Sequence, residues 1–246
     1  MSDTDPLLVL AMAASTFVGA LAQRSTGMGF ALLSAPFLVL VLGPLQGILV
    51  VNAASCVASA LILVQVWRDI EWSRAAVLVP MGALGVIPGA VAVALLPEAP
   101  LTIVVSLLVI LGLTATLLMR DRTVPPSLGL GAMGGFASGF MNVTAGVGGP
   151  GVVVYARATG WAHHRFAATV QLHGLVLSIV SLLAKRALPT LPPVSWAVLV
   201  VALLTGTIVG SWLGPRIPPE RAMRIVMVLA VAGSLLALVR GLVLLG

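Results

Sequence analysis

The sequence predicts an all-α membrane protein that crosses the bilayer several times and consists of two repeats of about five hydrophobic segments each. Of its 246 residues, 60% are hydrophobic and only 8% are charged, and the mean hydropathy is +1.17. A soluble protein with a polar surface does not have this composition. A polar, glycine-bearing interruption also occurs near the start of each half, at residues 23–29 and again at 142–151.

The chain contains ten apolar segments, which are delimited by charged residues, prolines and glycines. These segments cover 7–22, 30–42, 45–66, 75–96, 101–119, 127–141, 150–159, 167–184, 194–213 and 222–245. A helix needs roughly 20 apolar residues to span a bilayer, so the second and seventh segments are too short to cross alone. We expect broken or re-entrant half-helices there, each forming a hairpin with the segment before it.

The two halves carry similar features in the same order. Gly27 and Gly29 align with Gly146 and Gly148, which places Gln23 opposite Asn142. Farther along, each half has a glycine-rich segment before a Pro-Glu pair. The glycines are Gly82, Gly85 and Gly89 in the first half and Gly206, Gly210 and Gly214 in the second. Small residues at this spacing predict close packing of helices.

The repeat gives the predicted domain organisation. The first membrane repeat covers 1–119, a charged Pro-Pro linker covers 120–126, and the second repeat covers 127–246. An odd number of segments per half inverts the second repeat relative to the first. If sides alternate with every segment, one side receives ten Lys and Arg residues and the other three. The positive-inside rule then places the linker in the cytoplasm and both termini outside.

The paired interruptions are the candidate binding site. Irregular backbone at membrane depth persists only where it is buried in protein or lines a wet cavity, and paired interruptions in two halves indicate a transporter's binding site. Helices that start just after Gly29 and Gly149 would present their positive N-terminal ends to an anion. The candidate substrate-binding residues are Gln23, Arg24, Ser25, Thr26, Gly27, Gly29, Asn142, Thr144, Gly146, Gly148 and Gly149.

Two alternatives stay open at this point. Arg24 either binds an anion with its fork of donors or extends to the cytoplasmic interface from a helix end. The uncharged polar residues either bind the ligand or satisfy the backbone groups that the breaks free. Farther along the chain, Asn52, Gln171 and His173 lie in apolar segments. There we favour hydrogen bonds between helices, with proton coupling through His173 as the alternative.

Several classes of function are excluded or disfavoured. The seven acids fall in predicted loops or termini, which argues against a carboxylate proton relay and a cation site. The chain offers no paired carboxylates, no metal-spaced histidines and no Ser-His-Asp arrangement for one pocket, so no enzyme activity, metal or cofactor is predicted.

Cys56 is the only cysteine. The basic residues are scattered in short loops, which does not indicate a nucleic-acid partner.

Three motifs resemble those of a known family. They are Gly27-Met28-Gly29-Phe30 with Pro36, Gly146-Val147-Gly148-Gly149-Pro150, and Gly210-Ser211-Trp212-Leu213-Gly214 leading to Ile217-Pro218-Pro219-Glu220-Arg221. Together they resemble the sulfite exporter TauE/SafE family, over about Ala11 to Val239. The resemblance implies a multi-pass transporter in the cell membrane, with a small sulfur-containing anion as its partner beside the lipid bilayer. Because the predicted spans are helices and outer-membrane spans are strands, the membrane would be the inner one in a Gram-negative cell.

The resulting hypothesis is a secondary carrier or facilitator that exports sulfite or an organosulfonate by alternating access at the two facing breaks. Outward movement of one anion against a negative cytoplasm releases roughly 2.3 kcal/mol per 100 mV, so export needs no coupled ion. The alternative is proton-coupled uptake of an organosulfonate or a small carboxylate. A non-transporting membrane scaffold is the remote alternative, and the sequence leaves the oligomeric state open.

Overall fold

The computed structural model describes residues 6–27, 29–118 and 123–244, and within these ranges it contains ten α-helices and no strand. The helices are α1 Pro6–Thr26, α2 Gly29–Leu42, α3 Pro44–Val66, α4 Trp72–Leu95, α5 Glu98–Leu118, α6 Leu128–Ala145, α7 Gly149–Ala158, α8 His163–Lys185, α9 Pro193–Leu213 and α10 Pro219–Val243. Each of the ten predicted segments corresponds to one helix. The all-helical prediction is therefore confirmed.

Seven of the described helices, α1, α3, α4, α5, α8, α9 and α10, are long and apolar enough to cross a membrane. Helix α2 has 14 residues and α7 has 10. At 1.5 Å per residue they rise only about 21 and about 15 Å, which is less than the ~30 Å hydrocarbon core. The predicted short helices are thus present at both expected places.

The first short helix folds back on the helix before it. The Ser34 hydroxyl of α2 donates to the carbonyl oxygen of Ser15 in α1 over 2.9 Å. Nearer the break, a Cβ atom placed on Gly29 would lie 2.9 Å from that of Ala22. The later residue of α2 thus contacts the earlier residue of α1, which shows that α1 and α2 run antiparallel. Helix α7 likewise packs against α6.

Glycines bring two pairs of helices into close contact, as the sequence predicts. In the packing of α4 on α6, a Cβ atom on Gly85 would overlap the backbone of Phe136. In the packing of α1 on α9, a Cβ atom on Gly210 would lie 2.9 Å from the Cα atom of Leu21. Gly214 differs from its predicted role, because it begins the short 3₁₀ turn that follows α9.

If α1–α5 are taken to correspond to α6–α10 in order, most helix contacts have a counterpart between the corresponding helices. Helix α1 packs on α9 as α6 packs on α4, and α2 packs on α10 as α7 packs on α5. Helices α3 and α8, which correspond to each other, also pack together. This pattern fits two related halves, and their inverted orientation and boundaries stay predictions. In the predicted linker, residues 120–122 lie outside the described part of the chain, while residues 123–126 are not helical.

Apolar side chains cover the outside of the bundle. Val91 of α4, Ile208 of α9 and Val228 of α10 are each more than half exposed, at 54%, 66% and 62%. Polar side chains such as Asn52 and Gln171 are buried inside it instead, at 0% and 1% exposed. An apolar exterior around polar interior groups is the arrangement expected in a bilayer, where interior polar residues mark functional pathways.

Candidate functional site

Each helix break begins with a glycine in the left-handed conformation. Gly27 follows α1 with φ of 84°, and Gly146 follows α6 with φ of 72°. In each break the glycine N–H donates to the carbonyl oxygen four residues earlier, that of Gln23 at 2.7 Å and that of Asn142 at 2.9 Å. Glycine adopts this left-handed conformation without the penalty that a Cβ atom brings, so it ends both helices.

These breaks are shorter than the sequence suggests. The polar stretch that begins at Gln23 is helical as far as Thr26, and the stretch that begins at Asn142 is helical as far as Ala145. Polar composition alone does not end a helix, whereas a positive φ does. The predicted interruptions are therefore corrected to the residues between α1 and α2 and between α6 and α7.

A cavity of about 60 Å³ lies between the two breaks and has side chains from α1, α2, α3, α6, α7 and α8 around it. A buried water needs about 10–15 Å³ by this measure, so the cavity has room for about four waters or one small ion. The candidate residues that line it are Gln23, Gly27, Asn142, Gly148, Gly149, Gln171 and His173. Residues that are distant in sequence thus meet at one site.

Both short helices direct their N-terminal ends toward this cavity. Phe30 and Ala31, in the first turn of α2, line it, and so does Gly149, the first residue of α7. The first N–H groups of a helix have no partner within the helix, and the macrodipole places about half a positive charge there. Two such ends beside one cavity favour an anion.

Hydrogen bonds join the first break to the second half. Gln23 Nε2 donates to Gln171 Oε1 at 2.9 Å, and Gln171 Nε2 donates to the carbonyl oxygen of Gly27 at 2.5 Å. Beside the second break, the Ser181 hydroxyl donates to Asn142 Oδ1 at 2.7 Å. Side chains of α8 therefore hold residues at both breaks.

Four polar atoms of cavity-lining side chains have no hydrogen-bond partner within the described part of the chain. They are Gln23 Oε1, the Ser55 hydroxyl, His173 Nδ1 and the Ser178 hydroxyl. Each of these residues is less than a tenth exposed. Buried polar groups are nearly always paired, so these atoms are available to a ligand or to bound water. The other ring nitrogen of His173, Nε2, lies 2.8 Å from the Ser138 hydroxyl.

The other candidates lie outside the cavity lining. The guanidinium of Arg24 donates to Gln65 Oε1 at 2.6 Å, which favours the alternative that places Arg24 away from the ligand. The hydroxyls of Thr26 and Thr144 donate to carbonyl oxygens four residues earlier in their own helices. The remaining candidates are Gly29, the first residue of α2, Gly146, which begins the second break, Asn52, which is wholly buried, and Ser25, whose side chain lies outside the described part of the chain.

Four serines that our sequence analysis missed also line the cavity: Ser55, Ser59, Ser138 and Ser178. Ser59 and Ser178 have the same separation along the chain as Gly27 and Gly146, so the repeat alignment, extended to α3 and α8, would have found this pair. Ser55 and Ser138 gave no such signal. A serine in an apolar helix usually bonds to its own backbone, which makes it uninformative by itself.

The described residues that line the cavity include no Asp, Glu, Lys or Arg. No group of three or more His, Cys, Asp or Glu residues that would suit a metal ion occurs in the described part of the chain. The site therefore offers backbone N–H groups, hydroxyls, amides and one imidazole. It can bind a small ion through hydrogen bonds and helix ends.

Comparison with known families gives one match. The sequence model of the family described as sulfite exporter TauE/SafE matches residues 11–238. No curated protein and no solved structure gives a match. The matched region includes both helix breaks and all the described residues that line the cavity.

Proposed function

The chain belongs to the sulfite exporter TauE/SafE family of membrane transporters, and we propose that it exports a small sulfur-containing oxyanion such as sulfite or an organosulfonate. The observation that carries this proposal is the cavity between the N-terminal ends of α2 and α7. An oxyanion that leaves water must regain its hydrogen bonds from the protein. Backbone N–H groups at helix ends and serine hydroxyls are donors of that kind.

The size of the cavity supports a small substrate. A volume of about 60 Å³ accommodates an ion of the size of sulfite, which has four non-hydrogen atoms. A longer organosulfonate would need the halves to move apart. Such movement agrees with alternating access, in which one repeat rocks against the other around a site at their interface.

We propose a substrate-binding set that combines predicted and newly found residues. Gln23, Asn142 and the backbone around Gly149 come from the sequence analysis. Ser59 and Ser178 come from the structure. All five line the cavity. In this set Gln23 and Asn142 also position the breaks, because both are hydrogen-bonded to α8.

The proposed direction is outward, with the linker at 120–126 in the cytoplasm and both termini outside. The excess of basic residues on the linker side supports this orientation. A negative cytoplasm then supplies roughly 2.3 kcal/mol per 100 mV for each negative charge exported, without a coupled ion.

Proteoliposomes loaded with radiolabelled sulfite test this function. A potassium diffusion potential that makes the lumen negative is expected to accelerate sulfite efflux, and Ser178→Ala is expected to slow it. The matched control is Ser106→Ala, because the Ser106 hydroxyl is equally buried but donates to the carbonyl oxygen of Thr102 in α5. Efflux no faster than from protein-free liposomes would contradict the proposal.

The second candidate function is proton-coupled uptake, and His173 favours it. This residue is 3% exposed, lines the cavity, and has one ring nitrogen without a partner in the described part of the chain. Uptake would respond to an inwardly directed proton gradient, and His173→Ala would abolish that response. Export of the proposed kind persists when the pH is equal on both sides.

A further inference from the structure

The charge of the residues around the cavity limits the charge that a bound substrate can have. The described residues that line it have no formal charge, with the one histidine as the only titratable group among them. The Nε2 atom of His173 lies beside the Ser138 hydroxyl and not beside a carboxylate. A buried imidazolium without a carboxylate partner is unfavourable, so His173 is neutral here. The cationic side chain nearest in sequence to the first break, Arg24, donates to Gln65 instead.

Among the described groups that line the cavity, the positive potential therefore comes from the N-terminal ends of α2 and α7. Each N-terminus is equivalent to roughly half an elementary charge. Helices α2 and α7 have 14 and 10 residues, which is long enough for a developed dipole. Together they supply at most about one positive charge, because the C-terminal ends of α1 and α6 adjoin the same breaks and contribute the opposite sign. The helix ends can therefore compensate no more than one negative charge on a ligand.

The orientation of two glutamines adds an independent constraint. Gln171 Nε2 contacts two backbone carbonyl oxygens, those of Gly27 and Ala167, which can only accept. The amide of Gln171 must therefore present Oε1 to Gln23, and Gln23 must present Nε2 to Gln171. This leaves Gln23 Oε1 unpaired, on a side chain that is 5% exposed and lines the cavity.

The buried Oε1 atom of Gln23 can only accept a hydrogen bond, so it repels a negatively charged oxygen. It therefore disfavours a ligand whose oxygens are all charged. Sulfate carries four charged oxygens and would place one of them toward an acceptor. A sulfonate has an uncharged substituent on its fourth vertex, and protonated sulfite has a hydrogen to donate. The Ser178 hydroxyl, which is 1% exposed and unpaired in the described part of the chain, remains available as a donor to the charged oxygens.

We propose that this site selects its substrate by charge, accepting monoanions such as sulfonates and protonated sulfite and rejecting dianions of the same size such as sulfate. This inference rests on the proposed function, since it concerns the same cavity. The helix ends compensate at most one negative charge, so the second charge of a dianion is left buried without compensation.

The wild-type protein in detergent provides the test. Methanesulfonate and sulfate are both tetrahedral at sulfur, have similar size and keep a fixed charge near neutral pH. At matched ionic strength, calorimetric titration is expected to give a dissociation constant at least tenfold lower for methanesulfonate. Equal or tighter binding of sulfate would overturn the charge rule and leave a sulfur-anion site in place. Binding of none of sulfite, methanesulfonate and sulfate would overturn the proposed function and this inference together.

A charge variant tests the cause of the selectivity. Gln23→Lys replaces the unpaired acceptor with a cation at the cavity, and it is expected to shift the preference toward sulfate by at least tenfold. Ser73→Lys adds the same charge at an exposed position in the first turn of α4, and it is expected to leave the ratio unchanged. A folded Gln23→Lys protein with the wild-type ratio would contradict the proposal. If that variant does not fold, the wild-type ratio decides.

Discussion

Gln23 in α1 donates a hydrogen bond to Gln171 in α8 over 2.9 Å, although 148 residues separate them. Gln171 in turn donates to the carbonyl oxygen of Gly27, the residue that ends α1. The first helix break is thus held by a side chain from the second half of the chain. In the proposed rocking of one half against the other this contact would change, so the proposed binding site would lie at the proposed moving interface.

Replacement of Gln171 by leucine removes these hydrogen bonds. The partly buried carbonyl oxygen of Gly27 loses this donor, and Gln23 Nε2 is left with its 3.4 Å contact with the Ser59 hydroxyl. We expect the free energy of unfolding to fall by about 1–3 kcal/mol, because an unpaired buried polar group costs that much. Thermal unfolding in detergent measures the effect. The control is Gln65→Leu, since Gln65 is an exposed glutamine on α3. An equal loss of stability in both variants would contradict a special role for Gln171.

Alanine at Gly27 tests the conformation of the first break. Its φ of 84° is unfavourable for alanine, and the new Cβ atom would lie 2.9 Å from that of Ala167. We expect Gly27→Ala to destabilise the protein by more than about 1 kcal/mol.

Gly129→Ala is the matched control, because Gly129 lies in α6 with open space where its Cβ atom would be. There alanine is expected to stabilise the helix by up to about 1 kcal/mol. Thermal unfolding of the two variants distinguishes them. A Gly27→Ala protein as stable as the wild type would show that the break does not require glycine.

Removal of the Ser178 hydroxyl tests the proposed donors. We expect Ser178→Ala to weaken binding of methanesulfonate at least about tenfold, because a hydrogen bond to a charged group contributes about 1.5–3 kcal/mol. The fold should persist, since this hydroxyl has no partner within the described part of the chain. Calorimetric titration measures the affinity, and Ser106→Ala is the control. Unchanged affinity in Ser178→Ala would exclude this serine from the binding set.

Replacement of Arg24 by alanine tests whether this residue binds the anion or lies away from it. Arg24 is the only basic residue in the predicted binding set. Because its guanidinium donates to Gln65 and it does not line the cavity, we expect Arg24→Ala to change the affinity for methanesulfonate by less than twofold. The same titration measures it. A loss of more than tenfold would instead show that the guanidinium reaches the anion.

The sequence predicts the helices well because their ends carry local signals. Gly29 and Gly149 begin the short helices where predicted, since glycine and proline interrupt apolar runs regardless of tertiary structure. The helical state of Gln23 and Arg24 was harder to predict, because polar residues look like an interruption in an apolar sequence. Helix α1 ends only where the backbone turns left-handed, at Gly27.

The convergence of side chains on the cavity was only partly predictable. Gln23 and Asn142 follow from the aligned breaks. Ser55 and Ser138 do not, because their place at the cavity depends on how α3 and α6 rotate against their neighbours. The direction of Arg24 is set by Gln65, a partner 41 residues away on another helix. Neither rotation nor partner choice leaves a local pattern in the sequence.

The position of a bound anion shows most directly whether the cavity between the two breaks is the binding site. Selenite has the pyramidal shape of sulfite, and its selenium scatters anomalously, so crystals grown with selenite locate it without ambiguity. We predict one anomalous peak whose oxygens lie within about 3 Å of the Ser178 hydroxyl and the backbone N–H of Gly149. A peak beside Arg24, or an empty cavity at a selenite concentration that stabilises the protein, would contradict this assignment.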